Sequence, residues 1–311
     1  MNFSVVIPLY NKAPHIKRTI DSVLAQTYQN FEIIVVNDGS TDNGPDIVSS
    51  YSDPRIRLIN QVNQGVSVAR NHGTKEAKFE LVAFLDADDE WLPEFLRNIQ
   101  VIVNNFPDCG AYATAGLTIK PNGSIYYPSL GNLPPEPWIG ILPNFFQLIQ
   151  EGLPIHSSSI VFPKHILLHV GGFPVGVKVS EDVYCWVNVA LRYPMAINPK
   201  RLFIYHQDAT NRHKDNLEQE PYIEIIIKAI NDETISRKLK VEALEFVAQR
   251  QIIKAKANIF ANNPCYANYL LNTCKKTKKY KNDWNWCRFL AFFPAGWPKK
   301  ILTIKQRIFG E

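Results

Sequence analysis

Short apolar runs and amphipathic stretches alternate along the first third of the chain. The apolar runs lie at residues 4–9, 31–36, 55–59 and 79–85. The stretches between them carry apolar residues at the spacing of one helical face, as in Ile16, Ile20 and Val23. Strands that alternate with helices predict right-handed crossovers and a largely parallel sheet flanked by helices.

The pattern changes in the second part of the chain. The predicted elements there are a strand at 109–120, a hairpin turn at 121–124, a long loop with a short helix at 128–155, a strand at 156–162, a helix at 182–191 and a strand at 201–206. From residue 221 onward the periodicity is helical. We therefore predict an α/β domain over residues 1–215, divided at 107/108, and a helical region over residues 216–311.

Three carboxylates follow the fourth apolar run, in the stretch Asp86-Ala87-Asp88-Asp89. A buried parallel strand would deliver them to its carboxyl end, the edge at which open α/β sheets bind ligands. Like charges this close repel one another unless a cation lies between them, and hard oxygen ligands favour Mg²⁺ or Mn²⁺. The alternative is an acidic turn in which Asp89 caps a helix over residues 90–106.

Two further charged residues fall where a nucleotide could bind. Asp38 follows the second strand and precedes a helix, where a carboxylate can accept the N–H of a nucleobase. Arg70 lies in a predicted helix and could pair with a diphosphate. The alternatives are a capping aspartate in a tight turn and a surface ion pair. No dinucleotide fingerprint follows the first strand and no P-loop sequence occurs, which argues against both of those folds.

A second group of candidates lies beyond residue 180. Glu181 and Asp182 begin a predicted helix and offer a general base, a carboxylate that removes a proton from an attacking hydroxyl. Their alternative role is a structural cap of that helix. His206, at a strand end, is a candidate metal ligand or else a packed polar residue.

The order and spacing of these motifs resemble the glycosyltransferase family 2 enzymes of GT-A fold. The motifs are residues 6–11, 36–42, 65–71 and 86–89, then Gly171-Gly172-Phe173 and Glu181-Asp182. The resemblance covers about residues 3–206. It implies an α/β fold with a Rossmann-like, mostly parallel sheet flanked by helices, to which this chain adds a helical, basic C-terminal extension. It also implies that residues 1–107 bind the nucleotide sugar and that 108–215 hold the acceptor and the base.

The resemblance gives the donor-binding residues individual roles. It implies that Pro8 and Tyr10 lie along the nucleotide base and that Asp38 hydrogen-bonds this base. Arg70 is expected near the base or the diphosphate, and Asp86 at the ribose or the sugar.

The resemblance also assigns the catalytic and metal-binding residues. It implies that Asp88 holds the metal ion on the diphosphate and that Asp182 is the catalytic base. Glu181 and Asp89 would support them, and His206 falls where some relatives place a further metal or diphosphate ligand.

The function that this implies is inverting transfer of a sugar, assisted by Mg²⁺ or Mn²⁺. The donor is expected to be a nucleoside-diphosphate sugar, UDP-linked, and the acceptor a hydroxyl of a glycan or lipid-linked glycan. Bacterial surface polysaccharide synthesis is the expected setting by family analogy. The alternatives are a nucleotide-sugar-binding or membrane-surface protein without turnover, and a sugar-1-phosphate nucleotidylyltransferase. The nucleotidylyltransferase lacks support because such enzymes carry a glycine-rich loop after the first strand, and residues 9–14 contain no glycine.

Charge is unevenly distributed over a chain of otherwise ordinary globular composition. The net charge is +5, yet residues 275–311 alone hold ten Lys or Arg residues and two acidic residues. Aromatic residues such as Trp284, Trp286 and Trp297 lie among these cations. Basic residues around an aromatic patch suit an anionic membrane surface. The alternatives are aromatic side chains that pack back on the catalytic domain and a helix that docks a partner subunit.

The remaining composition bears on compartment and partners. Five cysteines without a C-x-x-C pair indicate reduced thiols, and no secretory signal or membrane-spanning apolar run is evident. We therefore expect a cytoplasmic protein, peripheral on the inner face of the cell membrane, that binds no nucleic acid.

Overall fold

The structure, a computed structural model, describes residues 1–150, 155–208, 220–294, 296–298 and 300–301. The chain forms two compact units, Met1–Tyr222 and Ile223–Glu311. The predicted boundary at residues 215 and 216 lies outside the described residues, and so do Lys305 and Arg307 of the predicted membrane-binding tail.

The described strands of the first unit form one sheet of ten strands. In chain order they are β1 (Phe3–Leu9), β2 (Phe31–Asp38), β3 (Ile56–Gln61), β4 (Leu81–Phe84), β5 (Glu90–Trp91), β6 (Ala111–Ile119), β7 (Ile125–Tyr126), β8 (Gly140–Ile141), β9 (Ile160–Pro163) and β10 (Met195–His206). Across the sheet the order is β3-β2-β1-β4-β9-β6-β10-β5, with β7 beside β6 and β8 beside β10.

Helices flank this sheet. In chain order they are α1 (Ala13–Leu24), α2 (Gly44–Ser49), α3 (Val66–Glu76), α4 (Phe95–Asn105), α5 (Phe145–Gln150), α6 (Lys164–His169) and α7 (Glu181–Ala190). A short 3₁₀ helix, Ser157–Ser159, precedes β9. One apolar core packs α1 and α4 against the sheet, through residues such as Ile20 and Ile99.

The first four strands follow the prediction from the apolar runs. β1 pairs in parallel with β2 and β4, and β2 pairs in parallel with β3. Every side chain of β2 and β4 is buried, as expected for strands covered on both faces. β6 and β10 form a further parallel pair. The edge that gathers the candidate site residues is thus the carboxyl edge of β1, β2 and β4.

The middle of the sheet differs from the parallel arrangement. β9 runs antiparallel to both of its neighbours, β4 and β6. Its predicted span also changes, because the residues before Ile160 form the 3₁₀ helix and are not part of the strand. This inverted strand brings the 3₁₀ helix next to the turn that follows β4.

The helix predicted over residues 90–106 is wrong at its beginning. Glu90 and Trp91 form β5, antiparallel to β10, and α4 begins at Phe95. Glu90 and Trp91 pair with Ile204 and Phe203 of β10, and the Leu92 amide donates to the Leu202 carbonyl, so this backbone is held as a strand and not as a first helical turn. Asp89 therefore caps no helix.

The second unit is helical, as its periodicity predicts. Its helices are α9 (Arg237–Phe260), α10 (Pro264–Thr273) and α11 (Lys281–Leu290), and α8 (Tyr222–Asn231) precedes them. Apolar side chains including Ala255, Leu271 and Leu290 form its core. Glu245 of α9 accepts hydrogen bonds from the Thr277 hydroxyl and from two backbone amides of the segment between α10 and α11. Among the described residues, every helix is too short or too polar to span a bilayer.

Candidate active site

A cavity of about 400 Å³ opens at the carboxyl edge of the sheet, beside the turn that follows β4. Its lining comes from α3, that turn, the 3₁₀ helix, the end of β10 and the start of α7. The lining residues are Arg70, Asp86, Asp88, His156, Ser157, Lys178, Val179, Ser180, Glu181, Asp182, Val183 and Tyr205. The cavity therefore brings together five of the predicted site residues from three separate stretches of the chain.

Arg70 is the buried cation of this cavity. Its side chain is 3% exposed, and its guanidinium donates to Asp86 at 2.7 Å and to Glu181 at 3.0 Å. Burial disfavours the positive charge, but the two carboxylates outweigh burial and raise the pKa of Arg70. Burial also disfavours ionised Asp86, but Arg70 lowers the pKa of this carboxyl below its ordinary value. The surface ion pair considered for Arg70 is therefore a buried three-residue network.

Asp182 lies in the first turn of α7, at the wall of the cavity. Its carboxylate accepts a hydrogen bond from the Val183 amide at 2.7 Å and from the Ser157 hydroxyl at 3.4 Å. Burial raises the pKa of Asp182 above the ordinary aspartate value, although Arg70 acts in the opposite direction. A partly buried carboxylate with a raised pKa at a cavity wall is a stronger proton acceptor than a fully exposed one.

The backbone before α7 holds its first turn in an uncommon conformation. Ser180 has φ of 61° and ψ of 26°, the left-handed region that non-glycine residues rarely adopt. Its side chain does not cap the helix. Strained backbone of this kind persists where the surrounding structure fixes it, and it is concentrated at functional sites.

The carboxylates after β4 have different surroundings. Asp89 is fully buried and accepts a hydrogen bond from the Ser158 hydroxyl at 2.6 Å, while this hydroxyl oxygen accepts the Asp86 amide at 3.1 Å. Burial raises the pKa of Asp89 well above its ordinary value, and the charges of Asp86 and Asp88 add to this effect. The neighbouring carboxylates and the burial of Asp89 thus both disfavour its ionised form.

The described residues contain one group of acid and histidine side chains with the spacing of metal ligands. Ligand atoms of Asp86, Asp89 and His156 all lie within 4.8 Å of one another. Carboxylate oxygens at a site that raises the pKa of a buried aspartate fit a divalent cation, which would relieve the repulsion. His156 was not predicted as a ligand.

Asp88 was predicted as the principal metal ligand, and it is paired with a cation of the chain. Lys12, at the start of α1, approaches the Asp88 carboxylate to 2.8 Å. Asp88 lines the same cavity as Asp86 and His156 but is outside their group of ligand atoms. Its role as a metal ligand stays a prediction.

His206 was predicted as a further metal or diphosphate ligand. Its Nε2 lies 3.1 Å from the Glu90 carboxylate, and its side chain is 8% exposed. It does not line the cavity and is outside the group of ligand atoms around Asp86. The packed polar role is therefore the one that its contacts favour.

Asp38 is engaged by the segment that precedes α3. Its carboxylate accepts hydrogen bonds from the Gln61 side chain at 2.8 Å, the Gln64 amide at 2.9 Å and the Gly65 amide at 2.8 Å. Gly65 has φ of 91°, which its lack of a Cβ permits. Asp38 therefore fixes the approach to α3 and is not a cap of α2.

The remaining donor residues of the prediction lie at the end of β1 and beyond it. Pro8 is half-buried within the strand, and Tyr10 is 45% exposed just after it. Neither residue lines the cavity.

Asn71 joins α3 to the Gly171-Gly172-Phe173 turn. Its side-chain amide donates to the Phe173 carbonyl at 2.7 Å and accepts from the Phe173 amide at 2.9 Å. Gly172 has φ of 69°, and a Cβ there would lie 2.4 Å from the Asn71 side-chain oxygen. The Phe173 ring in turn lies under the Arg70 guanidinium, 5.1 Å from its centre. The motif at residues 65–71 and the motif Gly171-Gly172-Phe173 are therefore in direct contact, through Asn71.

Several residues that contact the cavity lining or belong to it had no signal in the sequence analysis. Lys12 reads as a loop residue, and His156 and Ser158 read as part of a strand. The contacts of His156 and Ser158 depend on the antiparallel placement of β9, which an apolar run of four residues does not specify. The contact of Lys12 depends on the packing of α1 against the turn. A possible signal was the run of three hydroxyl side chains after His156, unusual for a buried strand.

Comparison with protein families identifies a match over the first half of the chain. The model of the family described as glycosyl transferase family 2 matches residues 4–156. A glycosyltransferase of Rickettsia felis, named uncharacterized, is 33% identical over 192 residues, which cover 60% of this chain and 31% of that protein. The uncharacterized glycosyltransferase YibD of Escherichia coli is 44% identical over 101 residues, which cover 32% of this chain and 29% of YibD. The matches thus span about a third of these relatives.

Similarity to solved structures also covers the second part of the chain. The crystal structure of S. aureus TarS residues 1–349 in complex with UDP-GlcNAc superposes with a TM-score of 0.65 and covers 94% of this chain and 88% of that one. The sequence identity is 18%, so the likeness is one of fold. It confirms the predicted fold class.

Proposed function

We propose that the chain is an inverting glycosyltransferase of glycosyl transferase family 2, whose family model matches residues 4–156. The proposed reaction moves a sugar from a nucleoside-diphosphate sugar to a hydroxyl of a glycan or lipid-linked glycan. The observation that carries the proposal is the buried network in which Arg70 bridges Asp86, at the end of β4, and Glu181, next to Asp182. A UDP-linked donor is supported by the complex of TarS with UDP-GlcNAc.

Asp182 is the general base of this proposal. An acceptor hydroxyl is a poor nucleophile near neutral pH, and a carboxylate within hydrogen-bond reach removes its proton as the oxygen attacks. The attack occurs on the face of the sugar opposite to the leaving diphosphate, so the anomeric centre inverts. Glu181 holds one side of Arg70, which keeps the start of α7 close to Asp86.

The acidic turn after β4 holds the metal ion in this proposal. Asp86, Asp88, Asp89 and His156 are the residues that would hold Mg²⁺ or Mn²⁺, and all but Asp89 line the cavity. A divalent cation, when bound, neutralises the charge that builds on the leaving diphosphate. Ser158 and Arg70 keep Asp89 and Asp86 in place.

The donor nucleotide lies over the carboxyl edge of β1 and β2 in this proposal. Pro8 and Tyr10 lie along the base, and a remaining lone pair of Asp38 accepts its N–H. Asp86 and Arg70 lie at the ribose and the diphosphate. His206 is the weakest of these assignments because its ring already contacts Glu90.

The test is release of nucleoside diphosphate from a panel of sugar nucleotides, with Mn²⁺ present and a glycan acceptor library. We expect release with at least one donor, with inverted stereochemistry in the product. Asp182→Asn should bind that donor with nearly unchanged affinity but lose turnover. Donor binding without turnover in the wild type would support a nucleotide-sugar-binding protein, and synthesis of a sugar nucleotide would support the nucleotidylyltransferase.

The second unit carries the surface proposed to contact a membrane. Three aromatic side chains of α11 and the segment after it are exposed, Phe289 by 47%, Phe292 by 81% and Trp297 by 53%. In contrast, Trp284 donates its indole N–H to the Leu271 carbonyl at 2.8 Å and packs against the core of the unit. The aromatic patch of the tail is therefore divided between core and surface.

Cations lie beside the exposed rings. Arg288 lies 5.9 Å from the Phe292 ring and Lys300 lies 6.0 Å from the Trp297 ring. The exposed lysines Lys275, Lys276, Lys278, Lys279 and Lys281 precede and begin α11. Rings at the headgroup boundary and cations on anionic lipid would give reversible binding to the inner face of a cell membrane, where surface polysaccharides are assembled.

The membrane proposal is tested by sedimentation with vesicles of phosphatidylglycerol and phosphatidylcholine. We expect the full chain to enter the pellet at low salt and to leave it at high salt. Phe292→Ser with Trp297→Ser should reduce binding, whereas the core substitution Leu290→Ala serves as a control for unit stability. Equal recovery of the wild type and the double variant in the pellet would contradict the proposal.

A further inference from the structure

Lys12 connects the start of α1 to the acidic turn after β4. Its Nζ lies 2.8 Å from the Asp88 carboxylate, and the two side chains are 15% and 14% exposed. The Lys12 carbonyl accepts the amides of His15 and Ile16, so the backbone of this lysine is fixed by the first turn of α1. The pair is therefore a sheltered ion pair between two anchored residues.

The same helix holds the backbone of the turn. Arg18 donates to the Asp88 carbonyl at 2.8 Å, and the Thr19 hydroxyl donates to the carbonyls of Ala87 and Asp89 at 2.9 and 2.8 Å. Three consecutive residues of the turn are thus attached to α1. Because the turn cannot move away from the helix, Asp88 cannot easily leave Lys12 by a backbone shift.

Each carboxylate of the turn has its own compensation within the chain. Asp86 is paired with Arg70, and Asp89 accepts the Ser158 hydroxyl. For Asp88 the compensating group is the ammonium of Lys12. The positive charge of Lys12, 2.8 Å from this carboxylate, offsets its repulsion from the neighbouring carboxylates, as a bound cation would.

We infer that Lys12 is the resident counterion of Asp88, and that a divalent cation which binds Asp88 must displace the Lys12 ammonium group. This inference rests on the proposed metal site and adds that the Lys12 ammonium group competes with the metal ion for Asp88. Lys12 would then keep the acidic turn stable before the metal ion and the donor bind. It would also weaken the affinity for the metal alone, because the ion pair must break first.

Three substitutions, at Lys12 before α1 and at Lys17 within it, separate this role from a general effect of charge. Lys12→Met removes the ammonium at Asp88. Lys17→Met removes an equal charge from the same helix, at a lysine that is 71% exposed and pairs with Asp21. Lys12→Arg keeps a positive charge at residue 12.

The experiment is titration of the full chain with Mn²⁺, followed by the electron paramagnetic resonance signal of the free ion. We expect Lys12→Met to bind Mn²⁺ at least ~5-fold more tightly than the wild type, the lower end of typical coupling between ligands. Lys17→Met and Lys12→Arg should resemble the wild type, and Asp88→Asn should lose binding. If Asp88→Asn loses Mn²⁺ binding but Lys12→Met binds Mn²⁺ no more tightly than the wild type, the inference about Lys12 is overturned. The proposed metal role of Asp88 then stands. Wild-type binding by Asp88→Asn would overturn the proposed metal role of Asp88 and the inference with it.

A second measurement uses the wild-type chain and does not depend on how a variant folds. Acetic anhydride labels free amines, and mass spectrometry of peptides reports the extent at each lysine. We expect Mn²⁺ to raise labelling at Lys12 and to leave Lys17 unchanged, because the displaced ammonium becomes accessible. Labelling of Lys12 that is the same with and without saturating Mn²⁺ would contradict the displacement.

Discussion

The guanidinium of Arg70 and the carboxylate of Glu181 lie 3.0 Å apart although 111 residues separate them in the chain. This contact connects α3, in the part of the chain that the family model matches, to the first turn of α7, beyond it. Arg70 also holds Asp86, so one buried side chain sets the spacing across the cavity. Removal of the Arg70 side chain would therefore affect both the turn that holds Asp86 and the start of α7.

We expect Arg70→Met to destabilise the first unit strongly. It leaves the carboxylates of Asp86 and Glu181 without their cation, and loss of one partner of a buried ion pair typically lowers the free energy of unfolding by about 3–5 kcal/mol. Urea denaturation followed by tryptophan fluorescence measures the change. Arg97→Met, at an exposed position of α4, is the matched control and should change stability by less than ~1 kcal/mol. Similar losses in both variants would contradict the structural role of Arg70.

We expect turnover to fall with pH on the acid side because of Asp182. The base acts only when ionised, and burial raises its pKa above the ordinary aspartate value. Activity is therefore full above this raised pKa and is lost as pH falls through it, at a higher pH than for an exposed aspartate. Asp182→Asn should lower turnover by at least ~10²-fold and remove this acid limb.

The control for this profile is Glu181→Gln, which leaves Asp182 in place and should keep an acid limb in kcat. A variant Asp182→Asn with wild-type turnover and an unchanged limb would show that Asp182 is structural. Steady-state kinetics between pH 4 and 9 with the identified donor, on the order of one measurement per half unit, distinguish these outcomes.

We expect divalent cations to be required for transfer. EDTA should stop release of nucleoside diphosphate, and Mn²⁺ or Mg²⁺ in excess should restore it. Asp88→Asn should raise the Mn²⁺ concentration for half-maximal activity by at least ~10-fold, since even residues that support metal ligands contribute this much to affinity. Asp108→Asn, at an exposed position after α4, is the control. Full activity in EDTA would exclude the metal role of the turn.

We expect Gly172→Ala to destabilise the turn more than Gly171→Ala. Both glycines have positive φ, 87° at Gly171 and 69° at Gly172, so each substitution introduces about 1–2 kcal/mol of backbone strain. A Cβ at Gly172 would also lie 2.4 Å from the Asn71 side chain, whereas nothing lies within 4 Å at Gly171. Overpacking of this kind adds about 1–3 kcal/mol. Equal unfolding midpoints for the two variants in urea would contradict the Asn71 contact.

Local patterns predicted much of the first half of the fold. β2 and β4 are fully buried and β1 is buried except at Pro8, and the acidic turn follows β4 closely, so periodicity and adjacency were sufficient there. The approach of Glu181 to Arg70 was not predictable from residues alone, because it depends on how α7 packs after a long segment. The family resemblance supplied the order of the motifs but not their contacts.

Two of the unexpected features share one cause, the pairing of short strands across long sequence separations. β5 has two residues and pairs with Phe203 and Ile204, and β9 has four residues between β4 and β6. Runs this short carry little periodicity, so a helical start at Glu90 and a strand at His156 were reasonable but wrong. The contact of Lys12 with Asp88 has a different origin, the packing of α1 on the turn.

The place of β9 in the sheet has a consequence for how the chain is made. β4 ends at Phe84, and its neighbour on one side is β9, which ends at Pro163. A ribosome adds about 5–20 residues per second, so β4 emerges several seconds before the strand that covers its edge. During that interval its backbone N–H and C=O groups are open to strands of other molecules. A fragment that ends at residue 156, where the family match ends, would keep this edge open permanently and would be prone to aggregate.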